Sequence, residues 1–238
     1  MRSGRLVAWT LAWQAGLVSY DDVVDVVQAG GPPHRVTRSG AGGDAPLGRL
    51  LIELRGQRPR LVLPAPGDPR GLPGPGPFTD AALAAGEAVL TGASGLVPAA
   101  AGAQLTWWLH DIPMVAPEPI TVAEVEHELS DAVRDTAVAL KDLEVARWRP
   151  ELAAALEQLR RPAPDDALPP GFPARAHRLL AQADRIDTIL RLAALDAPGA
   201  AVNAGAATAR EQLLRSVGTG VRRARMAAYN AGVQKRAS

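Results

Sequence analysis

The sequence predicts an α+β protein: a small mixed front domain over residues 1–118 and an antiparallel helical bundle over residues 119–238, standing as two domains or packed together as one unit. The front domain is expected to hold a helical hairpin, short antiparallel strands and one further helix. Two observations carry this. Behind residue 120, apolar residues recur every three or four positions over long stretches, which is the period of a helix. Ahead of it, glycine and proline cut the chain into short apolar runs, some rich in Leu, Ile and Val as strands are.

The first helix is expected over residues 5–14, with Leu6, Trp9, Trp13 and Leu17 along one side and the two tryptophans stacked in a core or an interface. Ser19 can cap a short second helix, helped by Asp21 and Asp22 in its first turn, with Tyr20, Val23, Val24 and Val27 as its apolar face. The pair has the outline of a helix-turn-helix, but Asp21, Asp22 and Asp25 on the would-be reading helix repel phosphate. Residues 30–44, rich in Gly, Pro and polar side chains, read as a loop. Residues 50–54 and 60–63 read as a β-hairpin turning through Gly56 and Pro59. A helix should begin near Thr79 and Asp80 and carry Leu83, Val89 and Leu90. Two more strands follow at residues 95–98 and 104–109. The alternation of a strand sends Trp107 and Trp108 to opposite faces, one into the core and the other toward a helix or a partner.

Thr121 and Glu124 make a capping box at the head of the longest helix, whose stripe runs through Val125, Leu129, Val133 and Thr136. The stripe suits a bundle core better than a coiled-coil seam, because Thr136 and the alanines weaken a seam. Pro150 starts a further helix carrying Leu152, Leu156 and Leu159, and residues 162–173 break the pattern. Helices resume at 175–195 and 206–217, and Gly218 and Gly220 should break or kink the chain before a last helix over 221–233.

Composition narrows the function classes. The formal net charge of +1 gives no global case for a nucleic-acid or membrane partner. Without cysteine there is no disulfide, thiol catalysis or thiolate metal site, which suits a cytoplasmic protein. Lys141 and Lys235 are the only lysines, so the arginine, alanine, glycine and proline content reads as GC-rich bacterial coding rather than as phosphate recognition. The apolar run 6–18 holds two tryptophans and Gln14 and lacks a signal-peptide cleavage pattern. The uncharged run 88–109 is of membrane-spanning length, but its glycines, Pro98 and Gln104 set it against a transmembrane helix.

Three places could carry function. The Pro/Gly-rich loop 64–78 could present backbone amides to an anion, with Gly67, Gly71 and Gly74 shaping it, Arg70 adding charge and Asp68 serving as a base. It lacks the lysine of a nucleotide-binding loop and the spacing of a dinucleotide fingerprint. The adjacent His110 and Asp111 at a strand end could be an acid–base pair, although neighbours on a strand point apart. In the last helix Arg222, Arg225, Met226 and Tyr229 could meet a protein or nucleic-acid groove. Charge is also uneven: residues 121–144 hold seven acids against two bases, and residues 209–238 seven bases against one acid. The two stretches either pair within the bundle or leave the basic one for an acidic partner. No metal-ligand spacing or cofactor fingerprint is present, so no metal and no cofactor are expected. The reading that follows is a non-enzymatic interaction or scaffold protein. Its helical C-terminal half would bind a protein, including a second copy of itself as a homodimer, with no membrane role. The alternative is an enzyme or small-molecule binder with its site at the loop.

Overall fold

The computed structural model describes residues 1–29, 31–40, 43–102, 104–116, 120–142, 167–195 and 204–233. It is a mixed α+β fold in two compact units. The first comprises Met1–Pro119, Asp166–Pro173 and Tyr229–Ser238, and the second Ile120–Asp165 and Ala174–Ala228.

The first unit is built on a six-stranded sheet: β1 Arg35–Arg38, β2 Asp44–Pro46, β3 Arg60–Val62, β4 Ala88–Thr91, β5 Ser94–Ala101 and β6 Gln104–Asp111. Their order across the sheet is β2-β1-β6-β5-β4-β3. All neighbours are antiparallel except β1 and β6, which run parallel, with Val36 opposite Trp107. Four helices accompany it: α1 Arg2–Gln14, α2 Tyr20–Gln28, α3 Leu47–Glu53 and α4 Pro77–Ala85.

Strand alternation sorts the core into two layers. On one face, Phe78 and Ala82 of α4 pack with Val62, Leu90 and Val97. On the other, Leu61, Val89, Leu96 and Trp107 are almost wholly buried, and α1 lies against β3, β4 and β5. The α1 face turned inward is Leu6, Val7, Thr10 and Ala12, so Trp9 and Trp13 are only half-buried. Trp13 instead meets Tyr20 edge-on at 6.0 Å and lies under the Arg55 guanidinium at 5.8 Å. As alternation requires, Trp107 is buried and Trp108 is 40 % exposed.

Several expected elements differ. Residues 47–53 are helix, not the first strand of a hairpin; a short continuous apolar run fits either state, and here Leu47, Leu50 and Leu51 form a helical stripe. The expected loop at 30–44 contains β1, whose partner β6 is distant in sequence. Val89 and Leu90 belong to β4, because Gly86 at φ 70° ends α4 first. The uncharged stretch 88–109 forms three strands, and no described helix is long and apolar enough to cross a membrane.

The open edge at β3 is closed by a side chain. Asn230 donates to the Leu61 carbonyl at 3.0 Å and its Oδ1 accepts from the Leu61 amide at 2.7 Å, which supplies what a further strand would. Beside it Tyr229, 4 % exposed, lies on Gly4, where any side chain would overlap the ring.

The second unit holds α5 Val122–Asp142, α6 Ala174–Leu195 and most of α7 Ala204–Asn230. Thr121 and Glu124 form the capping box at the head of α5: the Glu124 amide donates to the Thr121 hydroxyl at 3.2 Å, and the Thr121 amide to Glu124 Oε2 at 3.1 Å. Val125, Leu129 and Thr136 of its stripe are buried. The core joins Val125 and Leu129 to Leu179 and Ala183 of α6 and to Val221, Ala224 and Ala227 of α7. In place of the expected break, α7 stays helical through Gly218 and Gly220. Gly220 serves close packing, since a Cβ there would press on the Leu129 side chain. The helix expected from Pro150 lies outside the described residues.

Candidate functional site

The loop 64–78 is two tight turns in succession. The Asp68 amide donates to the Ala65 carbonyl at 2.8 Å, and the Leu72 amide to the Pro69 carbonyl at 3.2 Å. Gly67 and Gly71, at φ 80° and 82°, occupy the third position of each turn, a conformation costly for any other residue. Both donors at the turn ends are thus spent inside the loop. Arg70 reaches back to Asp68 with two bonds, Nε–Oδ1 at 2.7 Å and Nη2–Oδ2 at 3.1 Å. The cation and the candidate base of the loop neutralise one another. Gly74 sits at φ 108° and accepts from the Thr79 hydroxyl, which anchors the loop to the start of α4.

His110 and Asp111 leave β6 in opposite directions. The Asp111 side chain is 79 % exposed and accepts from Arg38 at 2.7 Å. His110 turns toward α4, where Phe78 meets it edge-on at 5.7 Å between ring centres. Gly95, opposite His110 on β5, makes room for the Phe78 ring. The His110 Nε2 is buried without a hydrogen-bond partner among the described residues. Burial holds its pKa below the ordinary histidine value, against the opposing charge of Asp111. The end of the loop and His110 are therefore neighbours through Phe78, while Asp68 and Arg70 hold each other and Asp111 holds Arg38.

Of the last-helix candidates, Arg225 is the most committed. Its guanidinium meets Asp184 at 2.7 Å and Asp187 at 2.9 Å, with its side chain 17 % exposed. Burial opposes its charge, but the two carboxylates outweigh that and raise its pKa. Arg222 donates to the Thr219 hydroxyl at 3.0 Å, and Met226 is half-buried. Arg223 pairs with Glu128 at 3.1 Å, so the basic and acidic stretches meet in part within the bundle.

A site not foreseen from the sequence lies in the first unit. A cavity of about 600 Å³ opens between α2 and α3, lined by Asp21, Val24 and Asp25 on one side and by Leu47 and Ile52 on the other. His34 lines it too and is 7 % exposed. The His34 amide donates to Gln28 Oε1 at 3.3 Å, and its Nδ1 accepts from the Trp107 indole at 3.4 Å. Burial, with help from the Arg2 charge, holds the His34 pKa below its ordinary value. Gly48 leaves space for the Tyr20 hydroxyl, which a Cβ would overlap. In the sequence, the acids of α2 are the sign of this site, and by themselves they speak only against DNA binding. Among the described residues no group of three His, Asp or Glu could hold a metal ion.

Residues 3–127 match the N-terminal domain model of the Rv1486c-like proteins and residues 123–226 their C-terminal domain model. The uncharacterized protein Rv1486c of Mycobacterium tuberculosis is 33 % identical, the match covering 79 % of this chain and 81 % of the relative. The uncharacterized protein ML1804 of Mycobacterium leprae is 28 % identical, with 95 % of each chain covered. No solved structure matches. With both halves matched in order, this chain belongs to the Rv1486c-like family.

Proposed function

We propose that this protein acts by binding a protein partner rather than by catalysis, with the helical C-terminal half as the binding element. A cytoplasmic setting suits its cysteine-free sequence. One observation carries the reading. The second unit fills much of its core with alanine, at Ala183, Ala224 and Ala227, yet leaves Val138 57 % and Ile189 42 % exposed. A unit that packs in part by alanine while offering larger apolar side chains to water retains apolar area for another surface. Both residues stand in the C-terminal half of their helices.

The test compares the full chain with a Val138→Lys/Ile189→Lys variant. Light scattering reads self-association, and pull-down with and without nuclease reads other partners. Exposed substitutions should leave the melting temperature nearly unchanged. The double variant is expected to lose a nuclease-resistant protein partner, or the dimer. Full retention of partner and oligomeric state in the variant would overturn the reading, and a nuclease-sensitive partner would replace it with nucleic-acid binding.

A further inference from the structure

The cavity between α2 and α3 combines three chemistries within one unit and does not rest on the helical-surface reading above. Its volume of about 600 Å³ is in the range of pockets that take small organic ligands. Its apolar walls are Val24 and Ile52, and Ile52 is 64 % exposed, a large apolar side chain left facing water. Its rim carries Asp21 and Asp25, one helical turn apart on α2. Arg49 also lines it but pairs with Glu53 at 3.4 Å, so the local balance stays negative.

His34 supplies the third element. It is among the least exposed of the lining side chains, and Trp107 occupies its Nδ1. An imidazole whose Nδ1 accepts carries its proton on Nε2. That donor has no partner among the described residues. The Nε2 atom keeps access to solvent, so it can donate to the acceptor of a ligand in the cavity.

We propose that this groove binds a ligand bearing a cationic group beside an apolar group, with a carbonyl-type oxygen to accept from His34 Nε2. Asp21 and Asp25 take the cation, Val24 and Ile52 take the apolar group, and His34 fixes the orientation. A free amine and a basic, apolar segment of another chain share this chemistry.

Nuclear magnetic resonance of the full chain separates the outcomes, read at the His34 ring and the Ile52 methyls. L-leucinamide carries the ammonium, the apolar side chain and the carbonyl. N-acetyl-L-leucine keeps the side chain and reverses the charge. N-acetyl-Arg-Leu-amide places the cation on a chain segment. Leucinamide or the peptide should move both signals, and N-acetyl-L-leucine should not. Response to the peptide alone identifies a chain segment as the source, and response to both shows that a small amine suffices. Asp21→Asn/Asp25→Asn should weaken binding by about tenfold. Ile52→Gln, at an exposed position that leaves the fold unstrained, should weaken it as well. Equal response to N-acetyl-L-leucine, full affinity in both variants, or no movement at His34 with any probe would overturn the assignment.

Discussion

The two units spend their apolar residues differently. The first relies on large side chains locked by strand register: Trp107, Leu61, Leu96 and Val89 interleave on one face of the sheet and are almost wholly buried. The second brings helices close through Ala183, Ala224 and Ala227 and adds the Arg225 pairing to Asp184 and Asp187. Each alanine contact buries little area, so the helical unit depends more on shape and on charge placed at the helix interface. The sheet unit depends on a few bulky residues whose loss leaves a hole. The comparison teaches that a single apolar fraction describes neither unit.

Breaking the comparison at its strongest point means truncating Trp107. Trp107→Ala should cost about 4 kcal/mol by denaturant unfolding, because the site cannot collapse between a sheet and its helices. It should also free the His34 Nδ1. A cost below about 1 kcal/mol would show that the sheet face repacks readily.

The next effect belongs to the helical unit. Arg225→Ala should cost about 2 kcal/mol, since it leaves Asp184 at a helix interface without its cation and Asp187 with Arg191 alone. Arg225→Met, which restores the packing but not the charge, should recover part of the loss. If the two variants are equally unstable, charge carries the whole contribution. If methionine restores full stability, the unit is held by packing alone.

The smallest effect sharpens the comparison through pH. In the first unit burial holds His34 and His110 below the ordinary histidine value of 6.5. Unfolding exposes them, so the unfolded chain takes up protons first as the pH falls. Stability from this source is complete above about pH 6.5 and declines as the pH falls below it. Melting temperatures from pH 7.5 to 5.0 should show the decline, and His110→Leu should flatten it. A variant with an unchanged slope would remove His110 from the account.

Signals contained within a few residues were legible in advance. The Ser19 cap forms its box with Asp22, and Thr121 with Glu124, because both partners lie within one turn. Residues 50–53 are helix rather than the expected strand, since an apolar run too short to show a period fits either state. β1 escaped notice because Val36 finds its partner at Trp107, across most of the first unit's sequence. Gly218 and Gly220 looked like breaks until Leu129 of another helix gave Gly220 a packing reason to sit inside α7. Candidates chosen by residue type in the loop proved to be one another's partners, as Asp68 and Arg70 are.

By itself the sequence determined the α+β class, the helical second half, the Ser19 cap, the Thr121–Glu124 capping box and the opposite burial of Trp107 and Trp108. Each follows from periodicity or from bonds between near neighbours. Only the tertiary structure decided the parallel β1–β6 pairing, the Asn230 seal on β3 and the groove that joins Asp21, His34 and Ile52. Those depend on which distant segments meet, and local bonding carries no record of that choice.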